Sequence, residues 1–181
     1  EISGISGGST PSTKNRAYWN GNIPFVTPTD ITPLSNLNYI NKTKRSITEK
    51  ALRSNPINLL EPGTILLTSR ASIGKGVINS VPLVTNQGFI NIMPNLEMYG
   101  LWLLYYLRFQ KNSLFRIASG STFKEISRRS FKQMKILVPP LEEQEKIASI
   151  LVRTDETIVL LEKHKEVSIE LKNRVLNDLI K

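Results

Sequence analysis

A chain of 181 residues, 40% apolar and 22% charged, has the make-up of an ordinary globular protein long enough to bury a core. It has no cysteine and a single histidine, which excludes disulfides, thiolate metal sites, cysteine nucleophiles and His–His metal motifs. The net charge of +9 is uneven: residues 1–140 hold 17 Lys/Arg against 6 Asp/Glu, a net +11, and residues 141–181 hold 7 against 9, a net −2.

No apolar run reaches about 18 residues and no leader-like segment opens the chain, so a cytoplasmic protein with no membrane partner is expected. Because the sequence begins at Glu1 rather than Met, a few native residues are expected to precede it.

In chain order, Ile23–Val26 is the first short β-rich run, bounded by Asn and Pro. Residues 30–60 are polar and weakly periodic and read as loops and short helices. Thr64–Thr68 and Phe89–Met93 are further strand candidates. A helix is predicted from about Leu96 to Ala118, ending before Gly120, with Leu101, Leu104, Tyr105 and Arg108 on one face. Trp102, Tyr106 and Phe109 form an adjoining face, which reads as core rather than as a base-stacking platform. Met134–Val138 is the last strand candidate. The body, residues 1–140, is therefore α+β, a mixed domain of short strands and helices.

All ten glycines and all ten prolines precede residue 141. The remaining 41 residues, rich in Glu, Lys, Leu and Ile, read as one helix about 60 Å long. Glu142, Glu143 and Glu145 suit its N-terminal dipole. Apolar residues at Ile147, Ile150, Leu151, Ile158, Leu161, Val167, Leu171, Val175 and Leu179 form one stripe. The helix is longer than the body can cover, so the expectation is a coiled coil serving dimerisation and spacing. Thr154, His164 and Ser168 interrupt the seam, and His164 reads as packing or register.

The catalytic motifs fail on inspection. Gly74-Lys75-Gly76 lacks both the first glycine and the final Ser/Thr of a phosphate loop, since Ser69 and Gly76 stand there. Val138-Pro139-Pro140-Leu141 lacks the polar and aromatic residues that hold a flipped base. Glu170-Leu171-Lys172 has a nuclease-like spacing without a partner aspartate. Asp30, Asp155 and Asp178 are the only aspartates and lie far apart, which leaves little for paired-carboxylate metal chemistry. The sequence argues for a binding protein rather than an enzyme.

Four polar, basic clusters remain. Lys14, Arg16, Tyr18, Trp19 and Asn20 follow Gly7-Gly8; Arg70, Ser72 and Lys75 follow Thr64–Thr68; Asn86 and Gln87 precede Gly88; and Ser121, Thr122, Lys124, Arg128 and Arg129 lie together. Arg, Asn and Gln can bond two atoms of one base edge, and Lys, Ser and Thr hold phosphates. Each has a structural alternative: Asn86 and Gln87 could tie a buried turn, and Arg128 could be a solvated helix residue. A body at +11 suits a polyanion.

The segments Gly7-Gly8-Ser9-Thr10-Pro11-Ser12 to Tyr18-Trp19-Asn20-Gly21-Asn22-Ile23-Pro24, Pro62-Gly63-Thr64-Ile65-Leu66 with Ser69-Arg70-Ala71-Ser72-Ile73-Gly74, Thr85-Asn86-Gln87-Gly88-Phe89, and Ser119-Gly120-Ser121-Thr122-Phe123-Lys124-Glu125-Ile126 running on to Val138-Pro139-Pro140-Leu141-Glu142-Glu143-Gln144 share an order and spacing. Together they resemble the specificity subunit of type I restriction-modification enzymes, over nearly the whole chain.

The resemblance implies a target recognition domain followed by a long helix, with no catalysis or cofactor of its own. It implies double-stranded DNA as ligand. It also implies methyltransferase subunits that use S-adenosylmethionine, and restriction subunits driven by ATP and Mg²⁺, as partners. Full subunits carry two such units, so this chain looks like a half subunit or one half of a longer chain, with the opening strand expected ahead of Glu1. The missing helix partner is either a second tandem half or a second copy. The second copy would pair antiparallel through Ile147, Leu151, Ile158, Leu161, Leu171, Val175 and Leu179, with Glu162 and Lys163 flanking the seam. The runner-up reading is a basic nucleic-acid-binding adaptor of another class, including an RNA-directed one. A small nuclease or methyltransferase comes third.

Overall fold

The computed structural model describes residues 3–34, 37–120 and 124–180, the side chains of Ser3 and Leu34 excepted. Two sheets are built from β1 (Ser3–Gly7), β2 (Trp19–Val26), β3 (Tyr39–Ile40), β4 (Arg45–Ile47), β5 (Ile65–Thr68), β6 (Gly76–Asn79), β7 (Val84–Thr85) and β8 (Phe89–Pro94). The larger sheet has the order β1-β8-β5-β6-β3 and the smaller β4-β2-β7. Pairing is antiparallel except for β3 with β6 and β2 with β7. The helices are α1 (Pro28–Ile31), α2 (Glu49–Ser54), α3 (Gly100–Phe109), α4 (Lys111–Ile117), α5 (Arg128–Lys132) and α6 (Leu141–Leu179).

β5 is the centre of the larger sheet and buries both faces, which is why Ile65-Leu66-Leu67 is an unbroken apolar run. Ile65 and Leu67 face a core formed with α3, Leu114, Phe131 and Ala148. Leu66, between them, faces the opposite way, against Val26, Ile31, Val77, Leu83 and Phe89. A third cluster, with Phe25, Ile47, Ala51 and Val84, joins the smaller sheet to α2.

Four expectations are corrected. The helix predicted over 96–118 starts at Gly100 and is broken at Gln110, whose ψ of 13° leaves the helical region, so two helices stand there. Before Gly100 the chain is held by a turn in which Asn95 accepts the N–H groups of Glu97 and Met98. Phe109 is 84% exposed and does not join Trp102 and Tyr106, which stack on each other. Met134–Val138 is extended but pairs with no strand, because β1 occupies the sheet edge beside β8. Its alternation is nevertheless real: Met134 and Ile136 pack on the main core, while Leu137 is 91% exposed. Finally, Ser3–Gly7, which was not among the strand candidates, forms β1.

α6 runs unbroken, as its lack of Gly and Pro requires. Its first turns belong to the body: Gln144 and Ala148 are fully buried, and Ile147 and Val152 pack on the main core. From Glu156 to Ile180 every residue is exposed. No helix among the described residues is long and apolar enough to cross a membrane.

Candidate nucleic-acid interface

Segments far apart in sequence meet around one cleft of about 680 Å³. Gly7 and Gly8, Ser69, Gln87, Phe89, Ile90, Ser119 and Gly120, and residues 125–129 line it. Backbone hydrogen bonds lace these segments together. Ser9 N–H donates to Thr85 O, Ser69 N–H to Gly88 O, Ile126 N–H to Ser69 O and Asn86 N–H to Val26 O. Beneath them Thr85 and Asn91, both buried, bond side chain to side chain at 2.9 Å. Gly8 is required by this closeness, since a β-carbon there would stand 2.0 Å from the Asn86 carbonyl oxygen.

The loop after β5 turns through Ala71 (φ 61°) and Gly74 (φ 83°). It is fastened by Thr68, whose hydroxyl accepts the Lys75 N–H and donates to the Ser72 carbonyl. Half-buried Arg70 lies over Gly88, its Nε 3.4 Å from where a β-carbon would stand, and bridges Glu125 through the backbone. Arg128, on the first turn of α5, lies against Gly7 in the same way at 3.5 Å. The two arginines thus flank the cleft. Ser72 and Lys75 are half-buried in the same loop. Asn86 spends its side-chain oxygen on Gly88 N–H, the turn-tying alternative raised by the sequence. Gln87 is exposed and accepts from Thr10. Lys124 sits 4.3 Å over the Phe115 ring. Ser121 and Thr122 lie outside the described residues.

Lys14 and Arg16 are exposed on the stretch before β2. Tyr18 and Trp19 pack partly against the third core cluster. The Trp19 ring meets Phe25 edge-on at 5.1 Å, carries Arg45 at 3.8 Å on its face, and donates its N–H to Ser12 O. Trp19 is therefore invested in internal contacts, while exposed Asn20 takes the left-handed conformation, φ 60°. Arg45, in stacking contact with Trp19, was missed because β4 gives no pattern of its own in three residues. Arg129, Ser127 and Glu125 complete the cleft wall beside Arg128.

The junction of α3 and α6 holds polar groups that sequence reasoning placed only on a helix face or on the coiled-coil helix. Tyr105 donates to Asp155 at 2.6 Å and accepts from Asn38 at 2.8 Å. Arg108 donates to the Asn38 side-chain oxygen and to the carbonyls of Leu37 and Gly76. Burial first, and then the hydrogen bond to Asp155, push the Tyr105 phenol up to about 12. Burial lowers Arg108, partly offset by Tyr105 and Asp155. Burial also raises Tyr39, with Tyr99 adding to it. The detectable signal was Tyr105 and Arg108, polar at helical spacing on an otherwise apolar α3.

Of the seven residues expected in the seam, Ile158, Leu161, Leu171, Val175 and Leu179 are exposed, and Leu151 is half-buried. Ile147 is corrected: it packs on the body's own core, because the first turns of α6 are docked there. Among the described residues no cluster of three or more His, Asp or Glu is arranged to hold a metal ion.

A family model for the type I restriction modification DNA specificity domain matches residues 1–171. The MjaIX specificity subunit of Methanocaldococcus jannaschii is 42% identical over 169 residues, 92% of this chain and 39% of that protein. The EcoR124I/EcoR124II specificity subunit of Escherichia coli is 27% identical, over 86% of this chain and 39% of its own length. Among solved structures, a chain of a type I R-M system superposes with a TM-score of 0.75 at 24% identity, covering 95% of this chain and 41% of that one. The HsdS subunit from Thermoanaerobacter tengcongensis gives 0.68 at 20%, covering 90% and 37%. These structures show the same fold. The chain spans about two fifths of the length of its curated relatives. A match that takes in the body, the cleft and most of α6 leaves one conclusion: the chain belongs to the type I restriction-modification DNA specificity domain family.

Proposed function

We propose that this chain reads one half of a bipartite DNA target and places methyltransferase and restriction subunits on it. One observation carries the reading: a body at +11 is joined without a break to a helix whose apolar stripe from Ile158 to Leu179 is uncovered. The body supplies affinity for phosphate, through Lys14, Arg16, Lys75 and Lys124. Arg70, Arg128 and Gln87, at or beside the cleft, supply base readout, while Asn86 ties the turn that carries Gln87. The helix supplies the contact that joins two bodies. In this reading S-adenosylmethionine is used by the methyltransferase subunits, and ATP with Mg²⁺ by the restriction subunits.

The helix partner is a second copy, antiparallel, so that one two-fold axis relates the bodies and the target is an interrupted palindrome. Co-expression with a methyltransferase subunit, co-purification and mapping of methylated sites test the whole reading. The expected result is a stable complex that methylates one split, inverted-repeat sequence. Sequence-independent methylation, or no complex, would overturn it. A target with two unlike halves would replace the second copy by a tandem half.

A further inference from the structure

α6 packs Ile147, Ala148 and Val152 on the body's core and is also held by polar groups at two places along the helix. At the first, Gln144 is fully buried and bonded through both ends of its amide. Its oxygen accepts the Tyr99 N–H at the start of α3, and its nitrogen donates to the carbonyls of Glu97 and Pro139. At the second, eleven residues or about 16 Å further along the helix, Asp155 accepts the Tyr105 hydroxyl. Between them Ala148, fully buried, lets the helix approach closely.

Apolar packing alone tolerates small tilts; two directional attachments, one at Tyr99 just before α3 and one at Tyr105 within it, fix both the tilt and the rotation of the helix. The second also continues inward. Tyr105 is bonded to Asn38, Asn38 to Arg108, and Arg108 to the carbonyl of Gly76, the residue after Lys75 of the cleft loop. The geometry points to Tyr105 and Asp155, with Gln144, as positioning residues that hold the arm at one angle to the DNA-reading loop and so restrict the spacing between half-sites. This rests on the proposed reading of a bipartite target.

Leverage makes the angle matter. Beyond Asp155 the arm runs about 36 Å with every residue to Ile180 exposed. A tilt of about 10° at the clamp would move its tip by about 6 Å, close to two base-pair rises. A loosened clamp therefore blurs the spacer and leaves the half-sites unchanged.

The chain has no cysteine, so Lys50→Cys and Lys172→Cys, both at exposed positions, accept a pair of spin labels uniquely. Dilution with unlabelled chain confines the measured distance to one copy. Tyr105→Phe is expected to broaden that distance distribution by about 5 Å or more, while Asp155→Asn, which keeps an acceptor, retains the wild-type width. In selection from random duplex DNA, Tyr105→Phe is expected to recover the wild-type half-sites at two or three spacer lengths in place of one. Asp155→Ala repeats the test from the other partner, so a Tyr105→Phe chain that fails to fold does not end it. An unchanged width, or a broadened width with an unchanged spacer, overturns the inference even if the variants melt at lower temperature. A wild-type chain that selects no sequence overturns the functional reading and the spacing claim with it, while the distance measurement still reports on the clamp.

Discussion

Arg70 sits over Gly88 beside Ser69 of the cleft, half-buried and therefore held, which suits a side chain that must meet a base at a fixed angle. If it pairs with a guanine, Arg70→Ala is expected to cost about 1–3 kcal/mol of binding and to relax one base position. Anisotropy titrations against singly substituted duplexes measure both, and a uniform loss across all sequences would identify a phosphate contact instead. Gly8→Ala is expected to cost about 1–3 kcal/mol of folding stability, read from urea denaturation, because the neighbour it would strike is backbone. Tyr105 gives a pH signature. Its phenol titrates near 10.0 when unfolded and near 12 in the fold, so its contribution to stability is complete below pH 10 and is lost as pH rises to 12. The stability difference between wild type and Tyr105→Phe should therefore be flat from about pH 6 to 9 and shrink above pH 10. A difference that shrinks already below pH 9 would contradict the bond to Asp155.

The proposed assembly depends on the arm. Leu161 is 61% exposed and Leu171 equally so, and isolated apolar stripes of this length seek a partner. Replacing both with Asp is expected to give monomers in sedimentation velocity at tens of micromolar. A wild-type chain that is itself monomeric there would favour a tandem half. α6 was legible because 41 residues without Gly or Pro leave few alternatives to a helix. β5 and β8 were legible because their buried runs are rich in Ile, Leu and Phe and stand between turn residues. β3, β4 and β7, two or three residues each, were not, because such strands exist only by pairing with neighbours. The break at Gln110 carries no Gly or Pro to announce it. At the candidate site the clusters themselves were legible as polar, basic loops. Their convergence was not, since Gly8, Ser69, Gln87 and Arg128 are joined only by the tertiary fold. Nor could spacing reveal that Gln144 meets Tyr99 and Asp155 meets Tyr105.

Charge decides behaviour at the scale of the molecule. The body's +11 and the arm's −2 mean that affinity for a polyanion belongs to one end, while two arms can lie together without strong repulsion. If the body neutralises about six phosphates, log K for DNA should fall against log salt with a slope near −5, and a nearly flat response would exclude phosphate-driven binding. The same molecule faces a problem of order during synthesis. β1 precedes the other elements described, yet Ser3 pairs with Pro94 and Gly7 with Ile90, so its partner strand emerges only after six further strands. A strand kept waiting is a hazard when it is apolar, because it can pair with whatever passes. Ser-Gly-Ile-Ser-Gly offers one apolar side chain among glycines and serines, a poor template for a stray neighbour. The composition that makes β1 a weak strand in isolation makes it a harmless one until β8 arrives.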